Sequence, residues 1–339
     1  MPKHARQYLI TGAAGFIGSN FIRYLYEREK EARVTVLDKL TYAGNLANLK
    51  DFQGRRGFEF IKGDICDGRA IKKAMAGADV VINFAAESAV DRSIDDPDSF
   101  LRTDMFGVYT LLNEARRQKQ LQRFIQISTD EVYGQILRGS FSEKSELKPR
   151  NPYSASKAGG DRLAYSFFAT YGLPVVITRA SNTYGPRAYL EKVIALFVTN
   201  LIDEEKIPVY GRGHQIRDWL YVEDHCSGIY LLVDKGKSGE VYNIGGNQEL
   251  MNIELARRIL RLLGKDETFI KFVKDRPGHD FRYSLNTSKI RKLGWKPQNN
   301  IDKGLQKTVQ WYLENETWWR PIKKKMEQRY LTGYWGKKK

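Results

Sequence analysis

Cysteine and histidine are scarce in this 339-residue sequence, with two of the first and four of the second. Cys66 and Cys226 cannot frame a disulfide-stapled fold, and they are too few for a zinc site built on thiolates. His4, His214, His225 and His279 are scattered without metal-ligand spacing, so no metal is expected. No run approaches the ~18 apolar residues a membrane span needs, so no membrane partner is expected. The N-terminus passes almost directly into a strand pattern, without the apolar core and cleavage site of a signal peptide. A reducing, cytoplasmic setting is the expectation. Internal repeats and low-complexity segments are missing too.

Acidic residues are outnumbered, 40 against 56 basic, for a net charge of +16. Such an excess suits an anionic ligand, and equally a solvated basic surface. Part of it sits near the end, in Lys323, Lys324, Lys325, Lys337, Lys338 and Lys339. No zinc-finger spacing or RNA-binding aromatic signature accompanies it, so nucleic acid is not an expected partner.

The first half alternates short apolar runs with helical patterns. The runs are Tyr8–Ile10, Val34–Leu37, Phe58–Ile61, Val80–Phe84, Phe124–Ile127 and Val175–Thr178. Helical patterns fill most gaps, including 98–118 and 153–171. Apolar strands without alternation, separated by helices, imply a parallel sheet covered on both faces. The expected class is therefore α/β, a doubly wound sheet with ligands beyond the carboxyl ends of its strands. After residue 184 Gly and Pro interrupt the rhythm. This predicts a first domain over 1–184, a smaller lobe over 185–330 and a basic tail over 331–339. Part of 217–246 is expected to return to the first domain.

Gly12, Gly15 and Gly18 follow the first strand and open the first helix. Glycines so spaced let the backbone turn tightly and let a diphosphate approach the helix N-terminus. Asp38 stands twenty residues beyond Gly18, at the end of the second strand. A carboxylate there accepts from an adenosine ribose and repels a 2′-phosphate, which favours NAD over NADP. Lys39 beside it could attract that phosphate. Asp64 and Ile65 after the third strand would flank the adenine, although Asp64 reads equally as a turn residue.

Tyr153 and Lys157, at i and i+4, share one helical face. A phenol of pKa ~10 is a poor base until nearby cations favour its phenolate. Tyr153 would then take a hydroxyl proton while hydride leaves for NAD. Thr129, after the fifth apolar run, can bond the same oxygen. Asp130 and Glu131 next to it either cap a turn or divide the roles of acid and base. Oxidising one sugar carbon acidifies the proton on its neighbour, and two carboxyls of different pKa could then remove a proton and protonate a leaving hydroxyl.

With these motifs the sequence resembles the extended short-chain dehydrogenase/reductases. Within them it is similar to the dTDP-glucose 4,6-dehydratases over nearly its whole length. The matching segments include DKLTYAGN (38–45), GDICD (63–67), AAES (85–88), VDRSI (90–94), STDEVYG (128–134), NPYSASKAG (151–159), QIRDWLYVEDH (215–225), YNIGGN (242–247) and DRPGHDFRY (275–283). The resemblance implies a Rossmann-type sheet, a homodimer and a carried NAD. It implies that Tyr153, tuned by Lys157 and supported by Thr129, is the base at carbon 4. Asp130 is then the acid for the carbon-6 hydroxyl and Glu131 the base at carbon 5. Phe16, Ile17, Asp38, Lys39, Leu40, Thr41, Asp64, Ile65, Ala85, Ala86 and Thr103 line the NAD site in this reading. Ser88, Asn182, Glu191, Lys192, Arg217, Asn252, Arg276 and His279 hold a nucleoside diphosphate sugar, with the two arginines on its diphosphate.

Three places depart from the family pattern. Ala89 stands where the family usually has histidine, Thr183 replaces an asparagine, and Tyr189-Leu190 replaces Phe-Pro before Glu191-Lys192. The catalytic set is intact, so the departures bear on the base and sugar, with another base or an N-acetylhexose as alternatives. A sugar-nucleotide 4-epimerase or decarboxylase needs only the Tyr153–Lys157 oxidation. A non-catalytic NAD-binding sensor would have no need of that pair.

Overall fold

Seven strands with apolar, mostly buried residues form one parallel sheet in the order β10-β6-β5-β4-β1-β2-β3. The computed structural model describes residues 5–275 and 278–330, with side chains to 326. The strands are β1 (Gln7–Thr11), β2 (Arg33–Asp38), β3 (Phe58–Lys62), β4 (Val80–Asn83), β5 (Arg123–Thr129), β6 (Val175–Ala180) and, later in the chain, β10 (Val241–Ile244). Six of them are the apolar runs read from the sequence. The order of those six is that of a Rossmann sheet, which reverses direction between β1 and β4.

Helices cover both faces. On one lie α1 (Phe16–Arg28) and α8 (Val222–Lys235), whose Phe21, Leu25, Ile229 and Leu232 pack with Ile10 and Ile125. On the other lie α2 (Gly68–Met75), α5 (Val108–Ala115) and α6 (Pro152–Tyr171), packed through Ile71, Leu111 and Ala164 against Leu9 and Phe124. Between them run α3 (Val90–Asp95) and α4 (Pro97–Leu101).

The helical pattern over 98–118 is not one regular helix. Its middle, Arg102–Gly107, is π-helical. The extra residue in that turn seats the Asp104 carboxylate under the Glu87 amide (3.1 Å) and the Ser156 hydroxyl (2.8 Å). Side-chain periodicity does not carry this information, because the cause lies on other elements.

A second core gathers residues from 184 to 326. It joins β7 (Asn182–Tyr184), β8 (Ile207–Tyr210), β9 (Ile216–Tyr221), β11 (Glu249–Met251) and β12 (Ile270–Val273) to α7 (Val193–Ile202), α9 (Asn252–Leu262), α11 (Ile301–Glu314) and α12 (Glu316–Tyr330). The short α10 (Ser288–Arg291) contacts β10. Stretches that read as irregular are thus mostly helix and short strand. The basic tail over 331–339 lies outside the described residues. No helix among the described residues is long and apolar enough to cross a membrane.

Candidate active site

The carboxyl ends of β1 and β4 are tied to the middle of β5 by a buried polar chain. Thr11 donates to Asn83 (2.6 Å), and Asn83 donates to Gln126 (3.0 Å). Above this floor the glycine loop turns. A Cβ on Gly12 would lie 2.5 Å from the Ala85 nitrogen, and the φ of +67° also favours glycine. Gly15 caps α1 with no side-chain hydrogen bond, and the first turn carries no acid. The N-terminal amides of α1 therefore have no capping side chain, which makes this end an anion site.

Asp38 accepts from the amides of Ala14 (2.9 Å) and Leu40 (2.8 Å). Burial raises its pKa, and these two bonds oppose the rise. An ionised carboxylate has about four acceptor positions, so it can still take ribose hydroxyls. Lys39 is not aimed at a 2′-phosphate. Its ammonium lies 2.7 Å from Asp64. Burial favours the neutral acid at Asp64, but the Lys39 contact and the Cys66 amide outweigh it and lower the pKa. Uncapped helix, close backbone turn and a carboxylate lining the same cavity together fit a dinucleotide.

Asn151 and Ser154 form a capping box at the start of α6, with Pro152 in the first turn. They fix the backbone one residue before Tyr153. Lys157 is 6% exposed and donates to the Ile127 carbonyl at 2.8 Å. Burial raises the Tyr153 pKa well above its ordinary value, with Glu131, Asp104 and Asp130 adding to it and the Thr129 hydroxyl opposing. The phenol is therefore neutral in the protein alone.

Thr129 ends β5, and its side chain accepts from the Glu131 amide at 3.3 Å. The threonine, not either acid, caps this turn. Asp130 is 2% exposed. Burial drives its pKa well up, and Glu131 and Asp218 drive it further, against Thr129 and Arg217. Burial and the neighbouring carboxyls thus favour the protonated form of Asp130.

Two cavities share this ground. The smaller, about 280 Å³, is lined by Gly12, Gly15, Phe16, Ile17, Gly18, Asp38, Lys39, Thr41, Asp64, Ile65, Ala85, Ala86, Ser88, Thr103, Thr129, Asp130 and Lys157. The larger, about 1200 Å³, is lined by Leu40, Glu191, Arg217, Asn252 and His279. Glu131, Tyr153, Asn182 and Lys192 line both, so the reacting groups stand where the two meet. Arg276 lies outside the described residues.

Arg217 donates to the carbonyls of Ile216, Asp280 and Phe281, lies over the Tyr283 ring at 4.3 Å and forms no ion pair among the described residues. Asn182 and Asn252 each bury a side-chain oxygen without a hydrogen-bond partner among the described residues. Glu191 is engaged by protein on both oxygens, by Tyr42 (2.8 Å) and Arg92 (3.1 Å). The Tyr42 hydroxyl oxygen also lies 2.8 Å from the Ser88 carbonyl oxygen. Sequence reasoning missed this Tyr42–Arg92 clamp, and it missed Glu87, which lines both cavities. Glu87 carries a pKa raised to about 7 by burial and by Asp104. The only signal was its place inside the AAES segment.

A family model described as GDP-mannose 4,6 dehydratase matches residues 9–308. A dTDP-glucose 4,6-dehydratase of Streptomyces niveus is 50% identical over 320 residues, 93% of this chain and 95% of the relative. The crystal structure of a dTDP-glucose 4,6-dehydratase from Streptomyces venezuelae with NAD bound superposes with a TM-score of 0.91 at 47% identity, covering 93% of this chain and 99% of that one. A dTDP-glucose 4,6-dehydratase from Bacillus anthracis in complex with NAD gives 0.88 at 44% identity, over 94% and 100% of the two chains.

Proposed function

The chain belongs to the GDP-mannose 4,6-dehydratase family together with the dTDP-glucose 4,6-dehydratases, and from that membership we propose that it dehydrates a nucleoside diphosphate hexose, dTDP-glucose first, to the 4-keto-6-deoxy sugar. NAD in the smaller cavity supplies both hydride transfers, from carbon 4 and later to carbon 6, and a cationic ring. Asp38, the glycine loop and the uncapped α1 hold it. Tyr153, with Lys157 one turn on, takes the carbon-4 hydroxyl proton, and Thr129 bonds the same oxygen. Ketone formation acidifies the carbon-5 proton, which Glu131 removes. Asp130 gives its proton to the departing carbon-6 oxygen, and water leaves.

The observation that carries this reading is the buried Asp130, its pKa raised, next to Glu131, which lines both cavities. A 4-epimerase has no use for such a pair. Residues 1–184, with part of 217–246, form the NAD-binding domain in this reading. Residues 185–330 form the nucleotide-sugar lobe, where Arg217, Lys192, Asn182, Asn252, Glu191 and His279 face the substrate, with Ser88 at its edge. The working form is a homodimer, supported by an exposed aromatic face described below. Ala89, in the wall of the larger cavity, is where this chain's sugar or base preference is set.

A panel of dTDP-, UDP-, CDP- and GDP-hexoses tests the reading. The expected result is a 4-keto-6-deoxy product, fastest from dTDP-glucose, without added NAD. A carbon-4 epimer alone, or no turnover on any member, contradicts it. Glu131→Gln separates the steps. It is expected to oxidise carbon 4 and stall, so that the absorbance of reduced nicotinamide accumulates on the protein. Dehydration at the normal rate by this variant contradicts the role given to Glu131.

A further inference from the structure

His225, in the QIRDWLYVEDH segment, is a buried polar group that the chemistry above does not use. It lies in the first turn of α8, is 1% exposed, and lines the smaller cavity with Ser181, Asn182 and Thr183. Its Nδ1 is 2.9 Å from the Thr183 hydroxyl oxygen, and its Nε2 is buried without a hydrogen-bond partner among the described residues.

The hydrogen-bond network favours one tautomer. Thr183 Oγ1 also lies 3.2 Å from the Ser181 carbonyl oxygen. A hydroxyl has one proton and a carbonyl can only accept, so that proton goes to Ser181. The Thr183 oxygen then accepts from Nδ1–H, and Nε2 is left with a bare lone pair. Burial keeps the imidazole neutral, with a pKa pushed down to about 3. Nε2 is therefore an acceptor at any ordinary pH. It repels phosphate oxygens, which have only lone pairs to offer, and calls for an N–H or O–H donor.

Sheet order says which end of the cavity this is. Ser181–Thr183 follow β6, and β6 pairs with β5, which carries Thr129 to the reacting groups. Asp38 ends β2 and Asp64 follows β3, on the far side of β1. His225 thus stands at the reacting end, away from the adenosine end. The amide N–H of the nicotinamide carboxamide is the N–H donor that a dinucleotide brings there.

We propose that His225 Nε2 accepts a hydrogen bond from the nicotinamide carboxamide and so helps set how the ring lies beside Tyr153. This rests on the reading that NAD fills the smaller cavity. The test is competition between NAD and its 3-acetylpyridine analogue, in which a methyl replaces the amide nitrogen. Dinucleotide retained by the whole protein is measured by mass spectrometry. An unsatisfied buried acceptor penalises the analogue, so wild type is expected to prefer NAD by about ten-fold. His225→Leu should lose most of that preference, and His225→Gln, which keeps an acceptor, should recover part of it. The same preference in wild type and His225→Leu overturns the proposal. Should the leucine variant give no cooperative melt, Thr183→Val decides. It removes the oxygen that orients the ring, so the preference should fall, and an unchanged preference overturns the proposal. A wild-type protein that retains neither dinucleotide sinks the NAD reading itself, and this proposal with it.

Discussion

At the residue scale one buried carboxyl group, Asp130, carries much of the chemistry. The pKa of Asp130 is raised by burial and by Glu131. An unfolded aspartate titrates near ~3.9. Between that value and the raised one, the folded chain holds one more proton than the unfolded chain. Stability contributed by this group is therefore lost as pH rises through the window. Asparagine does not ionise and escapes that loss. Asp130→Asn is expected to melt above wild type at neutral pH, the gap closing as pH falls toward about 4. Its dehydration rate should drop about a hundred- to ten-thousand-fold. Melting curves across pH, with turnover beside them, check both. A variant that melts below wild type at neutral pH contradicts a buried, protonated acid. The glycine loop, Asp38 and the Tyr153–Lys157 pair were legible in the sequence because local spacing defines them. The Lys39–Asp64 contact, the two partners of Glu191 and the tautomer of His225 were not. Each depends on residues that meet only after the sheet has assembled.

At the element scale α6 carries the chemistry, and its seat is tight. A Cβ on Gly160 would stand 2.6 Å from the Asp104 carbonyl oxygen, in the π-helical turn. Helix propensity favours alanine over glycine by ~1 kcal/mol. The clash is with backbone, which cannot step aside cheaply, so it wins. Gly160→Ala is expected to lower stability by about 1–3 kcal/mol by denaturant titration. It should also slow turnover, since α6 must move and takes Tyr153 with it. A variant more stable than wild type would show that α6 has room to spare. The span of this helix was plain from its pattern over 153–171. The π-helical turn facing it was not, because Gly107 and Asp104 respond to Ile65, Glu87 and Ser156 across the fold.

At the scale of the whole molecule, one face remains apolar and exposed. Phe106 (51% exposed), Leu101, Tyr109 and Tyr165 lie on the segment from α4 to α5 and on α6. Phe106, Tyr109, Phe167 and Tyr171 form a chain of ring contacts between them. Clustered aromatics of this kind mark an association surface. The expected outcome is a dimer by sedimentation, and a monomer for Phe106→Asp combined with Tyr165→Asp. A wild-type monomer contradicts the homodimer.

The parallel sheet and its cofactor side followed from the alternation of apolar runs and helices. A smaller lobe after residue 184 was expected, but the elements of the second core were not read. Its strands are short and pair with partners distant in sequence, as β9 does with β7 and β11.

The central claim is an oxidation at carbon 4 that is later reversed at carbon 6, with water lost between. Substrate labelled with deuterium at carbon 4 tests it directly, read by nuclear magnetic resonance of the product. The account predicts that the label appears at carbon 6 of a 4-keto-6-deoxy sugar, with one solvent-derived hydrogen at carbon 5. Label still at carbon 4 of an epimer, or lost to water, would contradict it.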